Sequence, residues 1–169
     1  MDLIKITQEK SFLGQEFLTW LWWMCEDDAS FTLPDGRTVA LALGERMSLA
    51  PPWGHEGSRV ALAGKDHILA EAREALRQGK LVDNIRIAFV IDSEDYWTTL
   101  DAMWLTPRSV RLPATASAEE QGLDSDTMVL ERLALLENLT TALNSLFATF
   151  MELRIKHQYK WPELKTWIS

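Results

Sequence analysis

Sixteen residues, Ser11 to Glu26, constrain this chain more than any other stretch: SFLGQEFLTWLWWMCE. Leu13, Phe17, Trp20, Leu21 and Met24 follow the spacing of one helical face. Leu18, Trp22 and Trp23 then cover most of the remaining circumference. A helix apolar nearly all round is either buried in protein or spans a membrane. Gln15, Glu16 and Thr19 interrupt the run, and it falls short of the roughly 20 apolar residues that a span requires. The reading is therefore the central helix of a packed core. Ser11 is its expected N-cap, and Glu26-Asp27-Asp28 its exit into water. Each indole can bury on the order of 150–250 Å², so this helix carries much of the apolar area.

The 169 residues suit one domain, or one domain with an appendage, and can bury a core without staples. Cys25 is the single cysteine. No intrachain disulfide can form, which points to a reducing compartment and a cytoplasmic protein. Met1 to Lys10 lacks the pattern of a signal peptide, and no membrane association is expected. A net charge of −8 opposes nucleic acid and anionic membranes at long range. Binding DNA would require a local basic patch.

Upstream of the Trp-rich helix, Asp2 to Thr7 reads as a short edge strand or a disordered leader. Downstream, Pro34-Asp35-Gly36 marks a turn between strands at Ser30–Leu33 and Arg37–Leu43. In the second strand Val39, Leu41 and Leu43 share one face. Ala40 and Ala42 share the other, where small residues would let a helix approach closely. Glu45 to Arg59 reads as a loop, with or without a short strand at Met47–Leu49. Arg59–Ala63 is another strand. Asp66 caps a helix from His67 to Gln78 with Leu69, Ala72 and Leu76 inward and Gly79 as its stop. From Lys80 the period becomes two. Ile85, Ile87, Phe89 and Ile91 alternate with Asn84, Arg86, Ala88 and Val90. A polar tip at Asp92–Asp95, a return strand from Tyr96 to Trp104 and a third strand at Arg108–Leu112 complete an antiparallel meander.

Residues 113–123 read as a linker. A long helix then runs from about Thr127 to about Tyr159, ending before Trp161-Pro162. Leu136, Leu139, Leu143, Leu146, Phe150 and Leu153 recur at 3-4 spacing. That stripe either docks on the chain's own domain or forms a homodimer seam. The fold class is α+β: an antiparallel meander packed on a buried Trp-rich helix, with a long C-terminal helix. The organisation is a core over 1–112, a linker over 113–123 and a terminal helix over 124–169.

Catalytic signals are sparse. The chain has no P-loop, no Gly-x-Gly-x-x-Gly and no Gly-x-Ser-x-Gly. His55, His67 and His157 are scattered. Neighbouring acids raise rather than lower the Cys25 thiol pKa, which opposes a nucleophile. Asp92, Glu94, Asp95 and Asp101 form the one arrangement a magnesium nuclease could use, but hairpin tips are acidic for solubility alone. No cofactor or metal is expected, nor enzymatic activity. Lys80, Arg86, Arg108 and Arg111 fall in or beside the meander, where neighbouring strands could gather them into a positive stripe for phosphates.

The order of motifs resembles the later half of the recombination-associated protein RdgC family. The similarity rests on Leu13-Gly14-Gln15-Glu16-Phe17-Leu18-Thr19-Trp20-Leu21-Trp22. It continues in Ala75-Leu76-Arg77-Gln78-Gly79-Lys80-Leu81-Val82 and the strands that follow, and in Asp124-Ser125-Asp126 before the last helix. It covers roughly Ser11 to Phe150. The resemblance implies a DNA-associated protein of ring-shaped homodimers that bind duplex and single strands without sequence preference and restrain a RecA-type recombinase. The family's earlier half is not matched, so a complete ring is not expected from this stretch alone. Some members carry an exonuclease label, which no constellation of residues here supports. The family loop matching Gly64-Lys65-Asp66 is basic and near a subunit contact, which adds Lys65 to the DNA-binding candidates. The rival reading is a protein–protein interaction module that uses exposed Trp or the terminal helix.

Overall fold

The computed structural model describes residues 3–64, 68–114 and 125–156, with side chains from 13–64, 70–114 and 126–156. Helix α1 spans Leu3–Glu26. Strands β1 (Ser30–Thr32), β2 (Thr38–Ala50) and β3 (Val60–Ala63) follow, then helix α2 (Ile68–Arg77). Strands β4 (Leu81–Ile91), β5 (Glu94–Asp101) and β6 (Arg108–Arg111) lead to helix α3 (Ser125–Ile155). The six strands form one antiparallel sheet ordered β1-β2-β4-β5-β6, with β3 also paired to β2. This is the expected α+β architecture. No helix among the described residues is long and apolar enough to cross a membrane.

The sheet divides by the parity of its residues. Val39, Met47, Leu49, Val82, Ile85, Ile87, Phe89, Ile91, Tyr96, Thr98 and Leu100 are buried beneath the helices. The opposite face, with Ala40, Ala42, Ala88 and Trp97, carries no helix among the described residues. The expectation that the alanine face receives a helix is thus reversed. Burying the larger aliphatic side chains removes more apolar area from water, and α1 takes that side.

Along α1, Phe17, Leu18, Trp20, Leu21, Trp22 and Trp23 are all buried. Phe17 and Trp20 meet Phe150 of α3, with ring centroids 5.4 and 5.6 Å apart. The three polar residues of the run are connectors. Gln15 donates to the Pro51 carbonyl and accepts from the Trp53 N–H, pinning the loop after β2. Glu16 receives Arg154 of α3 at 2.6 Å. Thr19 accepts the Val82 N–H at 3.0 Å and joins α1 to β4. A helix sunk in a core must satisfy every polar group it buries, and these three do so by joining separate elements.

Several boundaries differ from the sequence reading. Leu3–Thr7 is helical, neither strand nor leader, and Ser11 lies within the helix rather than capping it. Nothing between Asp2 and Lys10 breaks a helix, and extending one is far easier than starting one. Strand β2 continues to Ala50 through an irregularity between Leu43 and Met47. Strand β5 ends at Asp101, whose carboxylate accepts the Met103 and Trp104 N–H groups and turns the chain. The β4–β5 turn holds Asp92 and Ser93 at φ 51° and 66°, the pair of positive angles of a tight two-residue hairpin. Helix α2 ends at Gly79 (φ 83°), with Gly79 N bonded to Leu76 O and Lys80 N to Ala75 O. That paired closure favours a residue without Cβ. Asp66, Leu69, most of the 113–123 segment and the terminal turn bearing Trp161 and Trp167 lie outside the described residues or side chains.

Helix α3, about 46 Å long at 1.5 Å per residue, docks on its own chain. Leu139, Leu143, Leu146 and Phe150 are buried and Leu153 packs beside them in one hydrophobic cluster with α1. Asn138 bonds Arg37 and the Tyr96 hydroxyl, tying α3 to the hairpin end of the sheet. The stripe from Leu139 to Phe150 is thus occupied by Phe17, Trp20 and their neighbours and is not free for a second chain. Leu136, at 38 % exposure, is the member left in solvent.

Candidate nucleic-acid interface on the open sheet face

Three of the five cationic candidates share the helix-free face. Arg86 stands on β4 opposite Thr99, and Thr99 opposite Arg108 of β6. In the next row Ala88 faces Trp97, which faces Arg111. Strict alternation would put Arg108 and Arg111 on opposite faces, since they are three residues apart. A register shift between Trp97 and Thr99 prevents this. Two residues on β5 are matched by three steps on β6, the mark of a β-bulge. Ser109 absorbs the extra residue at φ 48°. The bulge is tied on both faces: Thr98 Oγ1 donates to Arg108 O at 3.1 Å, and Arg86 Nη1 donates to Ser109 O at 2.6 Å.

Trp97 is the residue that the sequence reading missed. Its signal was present, because it sits on the polar phase of β5 with Asp95, Thr99 and Asp101. Ala88 is fully buried although no helix of the described residues covers that face, so a neighbouring side chain lies over it. Trp97, directly across, is the large side chain in position to do so. The Arg86 guanidinium carbon stands 5.9 Å from its ring centroid, a cation–π contact. Gly44 makes room for Arg86: a Cβ there would come within 2.6 Å of the Arg86 Cγ.

Arg86, Arg108 and Arg111 form no ion pair among the described residues. Arg108 and Arg111 are exposed. Asp95 and Asp101 occupy the two outer rows of the same face, so the cationic band is narrow and bounded by carboxylates. Lys80 does not join it. It precedes β4, about 20 Å from Arg86 at strand rise. Lys65 lies outside the described residues.

The other candidates gather no chemistry. Among the described residues no three His, Cys, Asp or Glu side chains are placed to hold a metal. This applies to Asp92, Glu94, Asp95 and Asp101. Burial, and then the Glu26 charge, push the Cys25 thiol up to about 12. The direction is the one expected from the sequence, but burial outweighs the acids. At pH 8 alkylation of Cys25 by iodoacetamide is expected to run about a thousandfold slower in the native chain than in urea, following the thiolate fraction. Mass spectrometry of timed samples reads this directly, and equal rates would contradict it.

The chain matches no family model, no curated protein and no solved structure.

Proposed function

We propose that this chain is a non-enzymatic, sequence-independent DNA-binding protein that uses the helix-free face of its sheet. The supporting observation is the bulge in β6, which brings Arg108 and Arg111 onto the face that already holds Arg86 and Trp97. Arginines without carboxylate partners among the described residues are suited to phosphates, and an indole lying along a sheet offers a stacking surface for an unpaired base. The resemblance to the RdgC family supports the same reading, and the link to recombination travels with that resemblance. The protein–protein alternative is favoured by a separate observation: Val129, Leu130 and Leu133 are more than half exposed at the start of α3. The two readings are compatible.

Fluorescence anisotropy with a labelled single strand and a duplex tests the first. Three phosphate contacts give a log–log salt slope of about −2 for a single strand and about −3 for a duplex. Affinity should fall on the order of twenty- to fortyfold between 50 and 200 mM salt. Replacing Arg108 and Arg111 together by Gln should flatten the slope by about 1.4 on a single strand, while Lys80→Gln leaves it unchanged. Absence of binding at low salt, or a double variant that binds like wild type, removes the proposal.

A further inference from the structure

The first three turns of α3 carry an apolar stripe that stands exposed among the described residues. Val129 is 55 % exposed, Leu130 65 %, Leu133 55 % and Leu136 38 %. Val129, Leu133 and Leu136 are spaced by four and three residues, the repeat of a coiled-coil seam. From Leu139 onward the apolar side chains turn into the chain's own core. The free stripe is therefore about one heptad long, roughly two helical turns, and stops where docking begins.

We infer that this stripe pairs in parallel with the same stripe of a second copy, around a two-fold axis along the helices. The charges beside it select that occupant. With Val129 and Leu136 at d and Leu133 at a, Arg132 falls at g and Glu137 at e. In a parallel pair the g residue of one helix meets the e residue five positions on in the other. Arg132 of each copy then lies beside Glu137 of the other, twice over by symmetry. Both side chains are exposed, and neither forms an ion pair among the described residues. An antiparallel pair centred on Leu133 loses this match, because Glu137 then lies near Val129 and Leu130. The exposed apolar area is on the order of 400 Å² per copy, the size that marks an interaction patch. Two such faces sit at the weak end of specific interfaces, so association depends on concentration. This inference rests on the protein–protein reading alone and is independent of the sheet face.

Sedimentation equilibrium of the full chain tests it. Between about 1 and about 200 µM the mean mass should rise from one chain toward two, as a small interface implies. Leu133→Glu should give the mass of one chain throughout with an unchanged melting curve. Arg132→Glu and Glu137→Arg should each weaken association about tenfold, since two symmetric pairs are lost at once. The double exchange should restore it, which keeps the test valid if the Leu133 variant folds poorly. Val129→Cys should form an interchain disulfide on mild oxidation, as side chains at d meet across a parallel axis. A single-chain mass at every concentration overturns the inference. So does association untouched by Leu133→Glu and by the single charge changes, or an associating Val129→Cys variant that does not cross-link.

Discussion

Gly14→Ala should lower the melting temperature by about 6–12 °C, against the usual direction for a helical glycine. In an exposed helix the same change stabilises by about 1 kcal/mol, because alanine restricts the unfolded chain and favours helix. Here α1 lies against the turn after β5. A Cβ on Gly14 would sit far inside van der Waals contact distance of the Ala102 carbonyl oxygen and 2.7 Å from its carbonyl carbon. The obstacle is backbone, so no rotamer change relieves it. That turn is also held from the far side: Ala102 N donates to Asp83 O at 2.9 Å, and the Asp101 carboxylate binds the next two N–H groups. Either α1 lifts from the sheet or the turn breaks these bonds. Overpacking of well-filled sites costs about 1–3 kcal/mol, sometimes more. With backbone on both sides the net cost is about 3 kcal/mol after the propensity gain, and a chain of this size loses 2–4 °C per kcal/mol. Differential scanning calorimetry gives the answer. A melting point equal to or above wild type would mean that α1 does not approach the turn this closely.

Gly14 also shows where the sequence was legible and where it was not. The periodicity around it placed α1 in the core, and the indoles are indeed enclosed. The β1–β2 turn, the meander, α2 with its glycine stop and the long α3 were all readable, because each depends on local spacing or turn chemistry. What Gly14 touches was not readable: the contact joins residues 14 and 102, and nothing near either names the other. The sheet face follows the same rule. Alternation along β4 placed Arg86 opposite the aliphatic side, but the same alternation separates Arg108 from Arg111. Their meeting depends on a bulge fixed by Thr98 and Arg86, two residues on other strands. The 3-4 spacing of α3 showed a seam without showing its partner. Phe17, Trp20 and their neighbours occupy it from Leu139 to Phe150, and its first member, Leu136, belongs to the exposed stripe upstream.

Thr19→Val carries the second large effect, about 2 kcal/mol or 4–8 °C. Valine matches threonine in shape, branches at the same carbon and has nearly the same helix propensity. Packing and helix formation are therefore held constant, and the hydroxyl alone is removed. That hydroxyl is buried, donates to Gln15 O at 2.8 Å and accepts the Val82 N–H at 3.0 Å. Gln15 O keeps the ordinary helical bond available to it, so the loss falls on Val82. There the β2–β4 ladder shifts register between Ser48 and Leu49, pairing Leu49 with Val82 and Ser48 with Asn84. A bulge leaves a strand group unmatched, and α1 supplies the acceptor that the neighbouring strand does not. Removing it leaves a buried donor with neither protein nor water, a penalty of about 1–3 kcal/mol, while the added methyl returns a fraction of that. Thr19→Ser separates the two contributions. It keeps the oxygen and loses a methyl, so it should destabilise by about 1 kcal/mol yet leave the Val82 amide protected. Hydrogen exchange read at Val82 decides between them: fast exchange in the valine variant with slow exchange in the serine variant identifies the hydroxyl as the clamp between α1 and β4. Equal protection in both would assign the loss to packing, and the helix would then be held to its sheet by apolar contact alone.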